Sequence, residues 1–206
     1  MTSALLLTGS AYLLGSVPTS YWLGRGVYGV DLRREGSGNL GATNTLRILG
    51  PKAATPVLII DVLKGWAPPA LFPILAPELA NAWALAFGAA AILGHVFSFW
   101  VGFRGGKGVA TSAGAFFALA PGALLLCFVV WVGTVIVTRY VSLGSLLAAL
   151  ALPAAVLLTT SSHGPALIPF ALALSTFVIW AHRENIVRLM RGEEARLERR
   201  PRRPRP

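Results

Sequence analysis

Acidic residues are scarce in this chain. Only eight aspartates and glutamates stand among 206 residues, and charged residues of both signs make up 13%. A soluble domain carries about 25%. The polar shell of a water-soluble globule is missing, which excludes a soluble enzyme. With 55% hydrophobic residues and a mean hydropathy of +0.66, the chain is equally unlike a disordered one. There is one cysteine, Cys127, so no intramolecular disulfide forms and cysteine usage gives no clue to compartment. The three histidines are far apart and no Cys/His cluster accompanies them. No metal and no cofactor are expected. Met1 to Leu7 holds no Lys or Arg, so it lacks the basic region of a signal peptide and is expected to remain as a first span.

What is present is long apolar runs, at roughly 3–24, 53–76, 79–100, 109–138, 141–160 and 164–181. A helix needs about 20 apolar residues to cross a bilayer. The chain reads as an all-α integral membrane protein. Ala76-Pro77-Glu78 and Ser161-Ser162-His163-Gly164-Pro165 are turn-like breaks. The run 109–138 is too long for one crossing and short for two. Charge sets the parity. Basic residues lie in 25–52, in 104–107, at Arg139 and in 183–205, and short cytoplasmic loops collect them. A turn at Pro121-Gly122 puts every basic loop on one side. The expectation is about seven transmembrane helices, N-terminus outside and C-terminus cytoplasmic. Short or broken helices fall around 109–138; two short helices or a re-entrant hairpin fit equally well. Residues 1–186 form one transmembrane domain, and 187–206 a basic, disordered cytoplasmic tail drawn to anionic lipid. Although +10 overall, the chain has its bases between spans and in the tail, so no nucleic-acid partner is expected.

Three cytoplasmic segments carry chemistry. Gly36-Ser37-Gly38-Asn39-Leu40-Gly41-Ala42-Thr43-Asn44-Thr45-Leu46-Arg47 imitates a dinucleotide fingerprint, with Asp61 20 residues after Gly41. That fingerprint needs a strand and a βαβ unit around it, and spans flank this one. What remains is a small-residue loop whose amides can nest an anion and whose arginine can clamp phosphate. Gly102-Phe103-Arg104-Gly105-Gly106-Lys107-Gly108 is not a Walker motif, since Gly108 takes the Ser/Thr place. Glycines and a lysine at the start of a helix still make a phosphate site. His182-Arg183-Glu184-Asn185-Ile186 closes the last span, and His182 and Asn185, at i and i+3, can face one site if the helix continues.

Inside a span, Asp61 and Lys64 are also at i and i+3. A neutralising pair that shapes the bundle and a direct role weigh equally. Ser142 and Ser145 suit helix back-bonding. His95 reads as a packed or bundle-bonding histidine.

Taken together, five separated motifs resemble one family in order: Gly36 to Arg47; Asp61-Val62-Leu63-Lys64-Gly65; Gly94-His95-Val96-Phe97 with Gly105 to Thr111; Ser142-Leu143-Gly144-Ser145; and His182 to Ile186. They look like the bacterial acyl-phosphate:glycerol-3-phosphate acyltransferases (PlsY type), over about residues 10–192. Ser98 stands where that family often has proline, Arg104 where lysine is common, and Ala181 where a basic residue often precedes the histidine.

The resemblance implies transfer of a fatty acyl group from acyl phosphate to the sn-1 hydroxyl of glycerol 3-phosphate. It also implies a seven-helix fold in the bacterial inner membrane with a cytoplasmic active site. Its expected partners are glycerol 3-phosphate, acyl phosphate and membrane lipid. Ser37, Arg47, Lys107, His182 and Asn185 are the expected catalytic residues. Gly38, Asn39, Thr43, Asn44 and the amides of Gly105, Gly106 and Gly108 are expected to hold phosphate, with Ser142 beside them. His182 is either a general base or a hydrogen-bond donor, and in the second case a substrate phosphate oxygen takes the proton and the reaction is substrate-assisted. The rival reading is a transporter of an organic phosphate or anion, served by Asp61, Lys64 and the broken run 109–138.

Overall fold

The computed structural model describes residues 1–159 and 166–197. The turn expected around His163, and the tail from 198 onward, lie outside the described residues. The described residues form helices α1 (Thr2–Ser16), α2 (Thr19–Tyr28), α3 (Ala42–Leu49), α4 (Pro51–Leu75), α5 (Ala80–Val96), α6 (Val109–Leu119), α7 (Pro121–Thr138), α8 (Val141–Thr159), α9 (Leu167–Ala181) and α10 (Arg183–Met190). Short 3₁₀ turns sit at Pro77–Leu79 and Phe99–Val101. No strand occurs among the described residues.

Four stretches are long and apolar enough to cross a membrane: Pro51–Leu75, Trp83–Val101, Pro121–Thr138 and Val141–Thr159. Val109–Leu119 and Leu167–Ala181 are shorter apolar helices beside them. Many large apolar side chains on the flanks of the bundle are exposed, Ile136, Val137 and Leu158 among them, as lipid-facing positions require.

Proline places the breaks. The residue before a proline is driven out of helical geometry. Ala120 takes an extended φ of −155° and Pro121 opens α7 at its first position. The run 109–138 is thus broken, one residue ahead of the expected Pro121-Gly122 turn. The run 3–24, expected as one span, is broken for the same reason. Val17 has ψ 112° before Pro18, α1 ends at Ser16, and α2 restarts at Thr19.

Glycine sets two helix crossings. A Cβ on Gly114 of α6 would strike the Val62 carbonyl of α4, and one on Gly65 of α4 would strike the Thr111 carbonyl of α6. Gly15 of α1 and Gly94 of α5 meet Ala91 and Tyr12 in the same reciprocal way. Small residues let membrane helices approach backbone to backbone. The main apolar cluster lies among α6, α7, α8 and α9, around Phe116, Ala123, Leu152, Val156 and Ala171.

The domain boundary expected at residue 186 falls inside α10. The segment after α10 is packed rather than free. The Leu197 amide donates to the Arg139 carbonyl at 2.9 Å, and the Arg196 guanidinium lies 4.9 Å from the Tyr140 ring. Residues 191–197 therefore sit at the same end of the bundle as the α7–α8 turn.

Candidate active site

The first glycine-rich loop is held from inside by Asn44, which is 1% exposed on α3. Its Oδ1 accepts the Ser37 amide at 3.0 Å, and its Nδ2 donates to the carbonyls of Leu32 (3.2 Å) and Glu35 (3.0 Å). Its bonding capacity is spent on the loop, so Asn44 positions the loop and is not the phosphate ligand expected. Gly36, at φ +60°, packs on this amide where a Cβ would meet Asn44 Oδ1. The Gly38 amide donates to the Glu35 carbonyl at 3.0 Å, and Gly38 is not on the cavity wall. It too shapes the turn and does not present an amide to an anion. The Arg33 side chain beside Asp31, at 2.8 Å, fixes the loop's start and pulls the Asp31 carboxyl down to about 2.

The second loop is corrected in the same sense. The Gly105 amide donates to the Val96 carbonyl (2.8 Å) and the Gly106 amide to the His95 carbonyl (3.1 Å). These amides cap α5 and are not available to a phosphate. Glycine is needed there for closeness: a Cβ on Gly106 would collide with the His95 imidazole and come within 2.7 Å of the Leu40 carbonyl. The two glycine loops are thereby packed on each other. Only Lys107 and Gly108 of this loop reach the cavity.

One cavity of about 680 Å³ gathers most of the remaining candidates. Ser37, Asn39, Thr43 and Arg47 line it from the first loop and α3, Lys107 and Gly108 from the second, and Ser142, His182 and Asn185 from α8 to α10. Arg47 is exposed and makes no hydrogen bond or ion pair among the described residues, so its guanidinium is available to an anion. The Lys107 ammonium donates to Asn185 Oδ1. Burial, reinforced by the nearby Arg188 charge, pushes its pKa down to about 8.

His182 is 4% exposed, at the joint between α9 and α10. Its Nδ1 lies 2.8 Å from the Val178 carbonyl. A carbonyl can only accept, so Nδ1 carries the hydrogen and Nε2 keeps its lone pair. Burial drives the imidazole pKa down to about 4, leaving it neutral at physiological pH.

Glu194 and Arg188 were not foreseen. Glu194 Oε1 accepts from Asn185 Nδ2 at 2.7 Å and Oε2 from Arg188 Nε at 2.8 Å. Burial resists charge on this carboxyl, but hydrogen bonds from its neighbours outweigh it and the pKa is lowered. The Ser142 hydroxyl stands beside the carboxylate without a well-formed hydrogen bond. Nothing in the sequence separated Glu194 from the rest of a charged tail.

Asp61 and Lys64 are buried and paired at 2.7 Å. Thr19 Oγ1 donates to Asp61 Oδ1 at 3.2 Å, and Lys64 Nζ to the Val17 carbonyl at the α1–α2 break at 2.7 Å. His95 Nδ1 stands 3.7 Å from the same Asp61 oxygen. The pair fixes a helix junction, while Asp61 and His95 also reach the cavity wall. No group of three His, Cys, Asp or Glu that could hold a metal occurs among the described residues.

Away from the polar mouth, the wall turns apolar through Phe116, Leu124, Cys127, Phe128, Leu152 and Leu174. A cavity inside an apolar helical bundle, lined both by the cations Arg47 and Lys107 and by these apolar side chains, suits an amphiphilic anion in a membrane protein. Comparison with known proteins makes this specific. The chain belongs to the glycerol-3-phosphate acyltransferase family, whose sequence model matches residues 5–192. It is 48% identical over 198 residues to a glycerol-3-phosphate acyltransferase of Synechococcus sp. (strain JA-2-3B'a(2-13)), covering 96% of each chain. It is 43% identical over 201 residues to one of Geobacter sulfurreducens, covering 96% of this chain and 100% of that one. Among solved structures it superposes on PlsY (YgiH), an integral membrane glycerol 3-phosphate acyltransferase, in its glycerol 3-phosphate form. The TM-score is 0.86 at 39% identity, over 95% and 96% of the two chains. The lysophosphatidic acid form gives a TM-score of 0.83 at 38% identity, with the same coverage. The protein is a multi-pass membrane acyltransferase and not a transporter.

Proposed function

We propose that the protein transfers a fatty acyl group from acyl phosphate to the sn-1 hydroxyl of glycerol 3-phosphate, giving 1-acylglycerol 3-phosphate and phosphate. The observation that carries this reading is a cavity lined by Arg47 and Lys107 and by apolar side chains such as Phe116, Leu152 and Leu174. It suits one soluble dianion and one lipid-tailed phosphate held together. The related PlsY structures are described in glycerol 3-phosphate and lysophosphatidic acid forms, which are the acceptor and product of this reaction.

The donor is a mixed anhydride and is already activated, so positioning and charge stabilisation lower the barrier. Arg47 and Lys107 neutralise the phosphates. Asn185, gripped by Lys107 on one side and Glu194 on the other, keeps the ammonium aimed at the cavity. His182 presents a bare Nε2 to the acceptor hydroxyl. With a pKa of about 4 it is a poor proton store near neutrality. The hydroxyl proton, held toward Nε2 before the reaction, passes to a phosphate oxygen, with a second pKa of about 6, as the ester forms. His182 orients the hydroxyl.

The bundle has about seven crossings, its N-terminus outside and its C-terminus cytoplasmic, in a bacterial inner membrane. The support is that Arg139, the segment 188–197 and the Lys107 loop share one end of the bundle, where positive charge belongs in the cytoplasm.

The test is an assay of purified protein in detergent with acyl phosphate and glycerol 3-phosphate. Phosphate release and lysophosphatidic acid should require both, and acyl-CoA should not replace the donor. Release without acylated product, or turnover of acyl-CoA alone, would contradict the reading.

A further inference from the structure

Four buried hydroxyls have no hydrogen-bond partner among the described residues: Ser20, Thr111, Ser112 and Ser142. A serine within a helix ordinarily bonds back to a carbonyl one turn earlier. Ser145, on the same cavity wall, does so to Val141 at 2.9 Å, and Ser175 finds the Ala149 carbonyl across a helix interface at 2.6 Å. Of the four orphans, Ser112 and Ser142 face the cavity. Ser142 has Glu194 beside it. Ser112, only 9% exposed, has no hydrogen-bond partner among the described residues. A buried hydroxyl left unpaired costs stability, and Ser112, unlike Ser20 and Thr111, faces a cavity where a ligand can supply the missing partner.

Its position says which ligand atom. Along this wall Lys107 and Gly108 come first, Ser112 lies on the first turn of α6, and Phe116 is one turn further on. A turn advances about 5.4 Å. A donor with its phosphate at Lys107 and its chain along Phe116 carries its carbonyl in between. Given the acyl-phosphate reading above, on which this rests, we propose that the Ser112 hydroxyl donates a hydrogen bond to the acyl carbonyl oxygen. That bond strengthens as negative charge develops on the oxygen. The acceptor hydroxyl oxygen forms the new ester bond to the carbonyl carbon, and the anhydride C–O bond breaks with its electron pair passing to phosphate. The hydroxyl proton ends on the released phosphate, and Ser112 keeps its own.

The test compares wild type, Ser112→Ala and Ser112→Cys in the acyl-phosphate assay, with thermal denaturation alongside. A long-chain alkyl phosphate, which lacks the carbonyl, serves as inhibitor. For Ser112→Ala the expected result is a kcat lowered about 100-fold. KM for glycerol 3-phosphate, inhibition by the alkyl phosphate and Tm should be unchanged, or Tm raised. Ser112→Cys, a weaker donor of similar size, should fall in between. Unchanged kcat in Ser112→Ala would overturn the inference. So would a Tm loss of several degrees, which marks a packing role, or an alkyl phosphate affinity that falls in step with kcat. An inactive wild type would instead overturn the donor reading, and this one with it.

Discussion

The Lys107 ammonium donates to the Asn185 carboxamide oxygen, joining the second glycine loop to α10 across 78 residues of sequence. The pair brings a cation from one loop to the cavity mouth and holds it in a partly buried place. The depressed Lys107 pKa follows from that burial.

This makes phosphate binding sensitive to alkali. Burial holds the Lys107 pKa at about 8, against an ordinary 10.5, so the free enzyme loses this charge as pH rises through about 8. KM for the phosphate substrates should climb between pH 8 and 10. In Lys107→Arg, whose charge persists to higher pH, whatever activity remains should lose that climb. A KM flat to pH 10 in wild type would contradict the assignment.

The His182 imidazole is neutral from about pH 4 upward. The pH–rate profile of wild type should therefore lack an ionisation near 6.5 belonging to this residue. His182→Ala, which loses the positioning of the hydroxyl and no proton acceptor, should lower kcat by about 10²-fold and keep the shape of the profile. The sign for stability is opposite to that of a charged, paired histidine. The unfolded chain binds the proton at about 6.5 and the folded chain only at about 4, so stability falls as pH drops through that interval. Wild type should lose Tm from pH 6.5 to 4 more steeply than His182→Gln.

Asn44→Ala removes three hydrogen bonds to loop 29–41 and strands the Ser37 amide. The expected cost is about 2–4 kcal/mol, read as a lower Tm in detergent, together with a raised KM for glycerol 3-phosphate. Asn44→Asp, which keeps the acceptor and loses the donor, should rescue little.

Gly106→Ala places a methyl against the His95 ring and the Leu40 carbonyl. Over-packing of this kind costs about 1–3 kcal/mol, and it shifts the loop bearing Lys107, so kcat/KM should fall more than stability does. Gly26→Ala, where nothing lies within 4 Å, is the neutral control.

Much of this was legible in the sequence, because membrane helices are written in hydropathy and prolines punctuate them. The split of 109–138 followed from Pro121. The split at Pro18 followed from the same rule and was hidden by the apolar residues on both sides. The cavity's cations, Arg47 and Lys107, stood out because charge is rare in this chain. The roles of Gly38, Gly105, Gly106 and Asn44 did not, since spacing cannot say whether an amide faces a ligand or a neighbouring carbonyl. Glu194 was illegible for another reason. Its partners Asn185 and Arg188 lie nearby in sequence, but only the fold-back of the segment after α10 brings the carboxylate to them.

The central claim is that both phosphorylated substrates occupy one cavity and the acyl group passes directly between them. Initial rates over a matrix of acyl phosphate and glycerol 3-phosphate concentrations test it. Direct transfer predicts double-reciprocal lines that intersect, with the protein's intact mass unchanged by donor alone. Parallel lines, or a protein that gains the mass of one acyl group when given only acyl phosphate, would contradict it.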